Sequence, residues 1–557
     1  MEARSRRDAV VLLVLLGTGV FLAGLELMIT AVALPAIVES LAGWTRLREA
    51  SWIISGYLLV YVVTMPLAGR LGDLWGNRRP FLAALAIFTV GSALAGAAPS
   101  LELLIAARLV QAVGGGALVP LATSAAAHLF DGEARPRALG IVGALTFLGM
   151  AAGPFLGAAI LDAFHPDAAL ARLGIADGSQ LAGLLAPAWR WIFYVNVPVG
   201  IATLVIAWAA SAGWDTPGRP GRVDVPGAVL VAAALTGVLG SLTLLGSRSS
   251  GTAGGGPDPA LVAGGLALAA VVAIPVAIVR GLRTDDPFLD PRLFRRPAFA
   301  SAALVSALTG YGFATAIVGA AVFVDRVLYG GPDEQRVALG ALAAATAAGA
   351  LISGIALRWL GLRLVTVVGL AASVAGLAIM AGWTPSTSIL AAAGALALFG
   401  AGFGLTVTPR STAATEAVAP EAYGAAASTV TVARMAGMAV GLAILTAYGS
   451  TTIDRLYDQV YATPDAYRLY IPEILRDRPL HDALVVNALE AWAASEAARI
   501  MVGLFLLAAA VTAVAVVPAL LLGRRRRILA RTGAASSSDG GQQLDDGSPQ
   551  PDTGRGA

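Results

Sequence analysis

Long apolar stretches separated by short polar segments dominate the chain. A scan for runs of about 20 apolar residues, the length of helix that crosses a bilayer, predicts fourteen transmembrane spans. Their approximate bounds are 10–34, 50–68, 80–98, 102–126, 138–161, 191–212, 225–245, 260–280, 298–323, 337–357, 364–382, 389–408, 424–447 and 499–522. An even number of spans places both termini on one side of the membrane. The pattern therefore predicts an all-helical integral membrane protein.

Composition agrees with this prediction and excludes several kinds of catalytic and metal site. Of the 557 residues, 57% are hydrophobic and 13% are charged, whereas soluble domains carry about 25% charged residues. All 38 basic residues are arginine, which excludes a phosphate-binding lysine and a lysine Schiff base. There is no cysteine, and His128, His165 and His481 lie too far apart for a metal site. We therefore expect no cofactor, no metal and no enzyme activity.

The arginines also predict the orientation of the chain. With the N-terminus inside, 24 arginines fall on the cytoplasmic side and 12 outside, while Arg108 and Arg434 lie within spans. This asymmetry satisfies the positive-inside rule. The arginines border apolar spans instead of forming an aromatic-interleaved basic face, which argues against a nucleic-acid partner. We predict a multi-pass protein of the plasma or inner cell membrane, surrounded by the lipid bilayer, with both termini cytoplasmic.

Two turns between spans, residues 69–78 and 354–363, repeat one spacing. In each, a second glycine follows the first after seven residues and an arginine follows after nine. Short Gly/Arg turns also recur by chance, but duplicated halves are typical of secondary transporters. The predicted organisation is an N-terminal six-helix half (1–212), a linker with transmembrane helices seven and eight (213–290), a C-terminal six-helix half (291–525) and a disordered cytoplasmic tail (526–557).

Three predicted outer segments exceed the needs of a minimal helix bundle. They are residues 163–188, residues 325–336, where Gly330 and Gly331 suggest a small hairpin, and residues 450–498. In the last of these, apolar residues recur at helical spacing between Leu480 and Trp492. Three roles are open for this amphipathic helix: it lies on the outer leaflet, it receives an extracytoplasmic partner, or it simply covers the helix ends.

Three ionisable residues lie inside the predicted spans: Glu26, Arg108 and Arg434. Such groups cost ~2.5–3.5 kcal/mol at a helix centre, so each is a candidate for function. Burial favours the neutral form of a carboxyl group, whereas a nearby arginine favours the charged form. We predict that Glu26 carries the coupling proton and that Arg108 and Arg434 are its counter-charges. The alternative is a static buried ion pair that only fixes helix register.

The turn after the second span predicts a conformational gate. Its residues are Gly69, Asp73, Gly76, Arg78 and Arg79. The glycines permit a tight turn against neighbouring helix ends, Asp73 can face the positive N-terminus of a helix from the other half, and the arginines can pair with acids. Such contacts would hold one side of the protein shut and break when it opens.

This turn resembles the signature turn of the major facilitator superfamily, with Asn77 in place of the usual first basic residue. Further stretches resemble motifs of the fourth helix and of the antiporter-type fifth helix, landmarks of the fourteen-helix drug:proton antiporter family, and the mycobacterial multidrug and triacylglyceride exporter branch. Arg108–Gly114 resembles the fourth-helix motif, and Gly149, Gly153, Pro154 and Gly157 resemble the fifth-helix motif. Trp189–Gly200 and Pro287–Phe294 resemble the landmarks of the fourteen-helix family. Tyr57–Arg70 and Val432–Gly441 resemble the mycobacterial branch.

The resemblance implies a major facilitator fold with two six-helix halves and two inserted helices. It also implies export of hydrophobic or amphipathic molecules, lipids such as triacylglycerides or multiple drugs, in exchange for protons. Glu26 occupies the place where the first helix of that family usually has aspartate. The mycobacterial branch carries an acid in the fifth helix, whereas residues 138–161 contain none.

The substrate cavity is the least defined prediction. Its candidate lining is Phe21, Met28, Phe147, Tyr311, Phe313 and Phe403. The scarcity of charge in the spans argues against anionic or sugar-like substrates. A proton-coupled importer of a small apolar solute remains an alternative, since Glu26 would serve symport equally well.

Overall fold

The described part of the protein is helical and contains no strand. In this computed structural model the described residues are 6–41, 46–164, 179–210, 223–246, 258–461 and 465–523, with the single residues 166, 172, 221 and 463. The predicted tail (526–557) lies outside them, as do residues 165, 167–171 and 173–178 of the predicted outer segment 163–188. The all-helical membrane fold predicted from the sequence is confirmed.

Thirteen helices of the described residues are long and apolar enough to cross a membrane. They are α1 (Arg6–Leu41), α2 (Trp52–Trp75), α3 (Arg78–Ala97), α4 (Leu101–Leu129), α5 (Ala134–Ala163), α6 (Asn196–Ala209, preceded by the short helices Ala188–Arg190 and Trp191–Tyr194), α7 (Val225–Gly246), α8 (Pro259–Arg283), α9 (Pro297–Arg326), α10 (Pro332–Met380), α11 (Ile389–Glu416), α12 (Tyr423–Tyr461) and α13 (Ala483–Val514).

The long helix α10 contains the two predicted spans 337–357 and 364–382, joined at Gly361. Gly361 has φ 74° and ψ 165°, which breaks the helix. In the first of the repeated turns, Gly76 separates α2 from α3 with nearly the same angles, φ 76° and ψ 162°. Positive φ is strained for other residues, so glycine is required at both turns. With α10 divided here, thirteen helices are consistent with fourteen spans, and the two turns share one backbone conformation.

Several helices extend beyond the predicted spans, because buried polar residues lower the hydropathy of a segment without ending its helix. The clearest case is α11, which continues past the predicted limit at residue 408 to Glu416. Arg410 therefore lies inside a helix and not in a loop. Moving it leaves 23 arginines on the predicted cytoplasmic side against 12 outside, so the predicted orientation keeps its support.

The repeated turns each pack against a helix of the opposite half. A Cβ atom on Gly69 would overlap the carbonyl oxygen of Gly424 at the start of α12. A Cβ atom on Gly354 would lie 2.8 Å from the carbonyl oxygen of Pro136, at the start of α5. The first half therefore contacts α12 through its turn, and the second half contacts α5 in the corresponding way. This reciprocal packing supports the predicted duplication.

Near one end, one ion pair joins the linker helices α7 and α8 to each other and a second joins the linker to the bundle. Asp224 pairs with Arg280 at 2.7 Å, and Arg70 of α2 pairs with Asp286. Burial opposes ionisation of Asp224, but hydrogen bonds from Arg280 and from the backbone of Gly227 and Phe288 outweigh it and lower its pKa. The rest of α7 and α8 exposes apolar side chains, which suits helices facing lipid.

The opposite end of the bundle differs in part from the predictions. Residues 325–336 form a helix end and a turn, not the predicted hairpin: α9 ends at Arg326 and α10 begins at Pro332. Helix is present in 450–498, but it continues α12 and leads into α13. Between these helices a small apolar cluster buries Val460, Tyr467, Ile471 and Val485. The segment therefore has a core of its own, and its role as a partner site stays a prediction.

Candidate functional site

Glu26 lies at the centre of a buried polar network in the first half. It is inaccessible to solvent, and its carboxylate pairs with Arg108 of α4. Thr30 donates a hydrogen bond to Oε1 at 3.0 Å, and the Asn196 amide of α6 donates to Oε2 at 2.7 Å. Three helices thus converge on one carboxylate, as is required for a buried charge to be tolerated.

Arg108 is held on all sides and is 1% exposed. Its Nη1 donates to Gln111 at 2.6 Å, and its Nε to the carbonyl oxygen of Ile53 at 3.4 Å. The guanidinium carbon lies 3.9 Å from the centroid of the Tyr57 ring, a cation–π distance. The geometry fixes Arg108 facing Glu26, which agrees with its predicted place as counter-charge.

The network contains two amides that the sequence did not single out as proton-site residues. Asn196 contacts Glu26 directly, while Gln111 links Arg108 to the Ser92 hydroxyl at 2.6 Å. Both lie within stretches that carry the family resemblance. An amide inside a span is a weaker signal than a charge, but a satisfied amide beside a buried acid fixes its orientation.

The predicted antiporter helix, α5, packs against α1 on the face next to Glu26. A Cβ atom on Gly149 would overlap the Phe21 carbonyl oxygen, and one on Gly153 would lie 2.9 Å from the carbonyl oxygen of Leu25. Gly157 continues the contact at Ile29, and Pro154 lies between these glycines within the helix. Small residues at this spacing let two helix backbones approach closely. The backbones of α5 and of the helix that carries Glu26 are therefore in direct contact.

Asp73 joins the two halves at one end of the bundle, which we call the Asp73 end. Its carboxylate accepts hydrogen bonds from the backbone N–H groups of Gly424, at 2.7 Å, and Ala425, at 2.8 Å. These are unpaired donors at the start of α12, where the helix dipole favours an anion. The predicted position of Asp73 against a helix N-terminus of the other half matches the geometry found.

The two arginines of the predicted gate differ from the prediction. Arg78 is half-buried and Arg79 exposed, and neither forms an ion pair with an acid of the described residues. The turn instead uses Arg70, which pairs with Asp286 of the linker. Arg70 is 6% exposed, so its guanidinium requires a partner. The ion pair of this gate therefore reaches the linker and not the second half.

Arg434 does not form the ion pair with Glu26 that the sequence predicted. It lies in α12 with its guanidinium carbon 5.3 Å from the centroid of Phe147. A second positive charge, Arg410 of α11, lies by the same ring cluster: its guanidinium carbon is 5.3 Å from the centroid of Phe403, which contacts Phe147. Sequence reasoning missed Arg410 because the hydropathy scan ended its span two residues earlier. The residue is nevertheless 2% exposed.

Half of the candidate cavity residues come together where the two halves meet. Phe147 lies 5.7 Å from Phe313 and 5.5 Å from Phe403 between ring centroids, and Phe313 stacks on Phe403 at 4.5 Å. Phe399 adds to this cluster. The other candidates do not join it: Phe21 and Met28 lie on the α1 face packed against α5, and the Tyr311 backbone packs on Gly441. Within the described residues no group of acids or histidines could hold a metal.

The chain resembles known transporters over most of its length. Residues 16–442 match the family model described as Major Facilitator Superfamily. A triacylglyceride transporter of Mycolicibacterium hassiacum is 31% identical over 76% of both chains. Multidrug resistance protein 3 of Bacillus subtilis is 27% identical over 80% of both. Among solved structures, the human organic anion transporter TETRAN has a TM-score of 0.57 at 14% identity, covering 92% of this chain and 100% of that one.

Proposed function

The chain belongs to the major facilitator superfamily, and we propose that it is a proton-coupled exporter that exchanges protons for hydrophobic or amphipathic molecules. The observation that carries the proposal is the Glu26 network. Among the described residues Glu26 is the only acid with no solvent-exposed surface, and its carboxylate pairs with Arg108. An acid is retained in such an environment, where it is costly, chiefly for function.

The coupling follows from the competition for this carboxylate. When Glu26 is charged, Arg108 binds it strongly; when a proton neutralises it, that attraction is lost while the amide of Asn196 can still contact it. Because α1 bears Glu26 and packs closely on α5, a change at the carboxylate shifts the balance between two arrangements of these helices. Proton binding thereby favours one orientation of the transporter.

The Asp73 turn supplies the other part of the cycle. Its hydrogen bonds to Gly424 and Ala425 hold the first half against α12. We place this end on the cytoplasmic side of the cell membrane, with both termini, on the strength of the arginine asymmetry. Closing this end and opening the other then moves substrate outward.

The proposed substrates are lipids such as triacylglycerides, multiple drugs, or both. Support comes from relatives named as triacylglyceride and multidrug transporters and from the apolar ring cluster between the halves. The antiport direction rests on the glycine face of α5, which resembles the fifth-helix motif of antiporters.

The first test compares wild type with Glu26→Gln in proteoliposomes, using a lipophilic dye driven by a pH gradient. Glutamine keeps the shape of the side chain but removes its titration, so we expect gradient-driven transport to fall at least tenfold while folding is preserved. Glu334→Gln removes an exposed acid at the start of α10 and is the matched control, expected to transport normally. Wild-type kinetics in Glu26→Gln would contradict the proposal.

A second readout separates exchange from co-transport. In vesicles whose Asp73 end faces outward, exchange carries substrate into the lumen and protons out of it. Substrate added outside must then raise the lumenal pH of acid-loaded vesicles. A fall in lumenal pH would indicate symport instead.

A further inference from the structure

Two arginines in the interior of the second half form no ion pair with an acid of the described residues. Arg410 is almost completely buried, and its guanidinium donates Nε to the carbonyl oxygen of Thr406 at 2.9 Å and Nη1 to the Thr309 hydroxyl at 2.5 Å. Arg434 is half-buried, and its Nε is enclosed without a hydrogen-bond partner. All partners identified for these two guanidinium groups are neutral.

The helices around this pair cannot supply the missing negative charge from their interiors. Acids in α5, α9, α11 and α12 occur near helix ends, at Asp162, Asp325, Glu416, Asp454 and Asp458. The interior acid of the first half, Glu26, is already bound by Arg108. No ion pair joins Arg410 or Arg434 to any acid among the described residues. The second half therefore carries two uncompensated positive charges.

Arginine does not escape this cost by losing its proton at neutral pH. Two guanidinium groups that repel each other in a low-dielectric interior are favourable only when an anion lies between or beside them. Guanidinium also matches carboxylate and phosphate groups in geometry, through paired N–H donors. The missing partner is thus an anion that enters from outside the protein.

The surroundings of the pair specify the rest of the ligand. The guanidinium carbon of Arg434 lies 5.3 Å from the Phe147 ring centroid, and that of Arg410 lies 5.3 Å from the Phe403 centroid. These rings belong to one cluster at the contact between the halves. A ligand bound here meets positive charge at one point and apolar rings beside it.

We propose that Arg410, Arg434 and the Phe147 cluster bind the anionic head group of an amphiphile, a carboxylate or phosphate attached to an apolar body. The proposal rests on the proposed export function and names its substrate class. The sequence analysis argued against anionic substrates because few charged residues lie within the predicted spans. That argument placed Arg410 outside its span, and the proposal revises it. Export of an acidic amphiphile would require both halves, because Phe147 belongs to the first and both arginines to the second.

The test measures equilibrium binding to the purified full-length chain in nanodiscs, with protein-free nanodiscs as the baseline. The probes are a dansyl-labelled undecanoate, its methyl ester and the matching primary amine, which share an apolar body and differ in head-group charge. We expect the carboxylate to bind at least tenfold more tightly than the ester and the amine to bind most weakly. Equal binding of carboxylate and ester to the wild type would overturn the proposal without any variant.

The variants locate the preference. Arg434→Gln should reduce the tenfold preference to less than threefold, and Arg410→Gln should do the same. Arg336→Gln, which removes a positive charge paired with Asp333 at the opposite end of the bundle, should leave it unchanged. Arg434 is the less buried of the two, so its variant carries the test if Arg410→Gln fails to elute as a folded protein. A preference that survives in Arg434→Gln would contradict the assignment.

Two further arms separate this proposal from its alternatives. Inorganic phosphate and acetate are added as competitors, and we expect millimolar amounts of either to displace little probe. Displacement as effective as that by unlabelled undecanoate would show a small-anion site and overturn the amphiphile assignment. The binding assay uses no pH gradient, so a carboxylate preference in wild-type protein that shows no gradient-driven transport would contradict only the proton-coupling proposal. Failure of proton coupling and failure of anion recognition are therefore distinguishable.

Discussion

Both halves of the molecule place arginine in the interior of the bundle, but they place their acids differently. In the first half Glu26 faces Arg108, and Asp73 caps a helix of the other half. In the second half no acid of the described residues pairs with Arg410 or Arg434, and the residue at the place of Asp73 in the repeated turn is Arg358. The two repeated turns thus share one backbone conformation at Gly76 and Gly361, whereas the charges around them differ.

This difference separates two tasks that one transporter must perform. A buried pair that is complete within the protein can respond to a proton, because protonation of the acid alone changes its energy. A buried cation without a protein partner responds instead to whatever anion arrives. Under the two proposals above, the first half responds to protons and the second half recognises charge on a substrate.

The largest expected effect comes from breaking the complete pair. Arg108→Gln leaves Glu26 buried and charged without its partner, which should destabilise the protein by about 3–5 kcal/mol. Arg410→Gln is the matched change in the second half; it removes an uncompensated charge at the loss of two hydrogen bonds, so we expect little change or a small gain in stability. Tryptophan fluorescence during thermal unfolding in one detergent measures both.

A double variant makes the comparison sharper. Glu26→Gln combined with Arg108→Gln removes both charges and should recover most of the stability that Arg108→Gln loses. If Arg108→Gln and Arg410→Gln cost the same, the distinction between a complete and an incomplete charge site fails.

The interior acid and the repeated turns could be predicted from the sequence, because both leave strong local signals. Glu26 interrupts a long apolar run, and Gly361 falls where the spacing of the first turn requires a glycine with positive φ. A charged residue within hydrocarbon and a glycine at a fixed interval need no knowledge of the neighbouring helices. These are the features for which local chemistry and the fold agree.

Three features could not be predicted in the same way. They are the burial of Arg410, the contact of Asn196 with Glu26 and the separation of Arg434 from Glu26. Arg410 lies in the stretch Thr406–Thr415, which reads as polar in a hydropathy scan although the bundle buries most of it. The pairing of Asn196 with Glu26 joins residues 170 positions apart. Hydropathy describes whether a segment suits lipid. These contacts depend instead on which sides of the helices pack against each other.

A moderate effect is expected from the acid of the first turn. Asp73→Asn keeps the size of the side chain but weakens two charge-assisted hydrogen bonds to α12, a loss of about 1–3 kcal/mol of contact between the halves. Since the chain has no native cysteine, Ser428→Cys places a single reporter beside Gly69. Labelling of this cysteine by a maleimide should become several-fold faster in Asp73→Asn.

Labelling of Ser428→Cys also shows which result would contradict a gating role of Asp73. Ser428 is 1% exposed, so labelling requires separation of the halves at the Asp73 end. A labelling rate unaffected by Asp73→Asn would show that glycine packing alone keeps this end closed. Glu421→Gln, an exposed acid close to the start of α12, is the control for a general change in local charge.

The smallest effect is expected at the second turn. The comparison of the halves predicts that Arg358, at the position equivalent to Asp73, does not keep the protein closed. Arg358 forms no ion pair with an acid of the described residues; its guanidinium carbon lies 3.8 Å from the centroid of its neighbour Trp359, which is 64% exposed. Arg358→Gln removes one exposed cation–π contact, so stability should change by less than about 0.5 kcal/mol. Labelling of Ser428→Cys should keep its wild-type rate, because the closure that it reports depends on Asp73. If Arg358→Gln accelerates labelling as much as Asp73→Asn does, both turns act as gates. The different charges at the two turns would then have the same function.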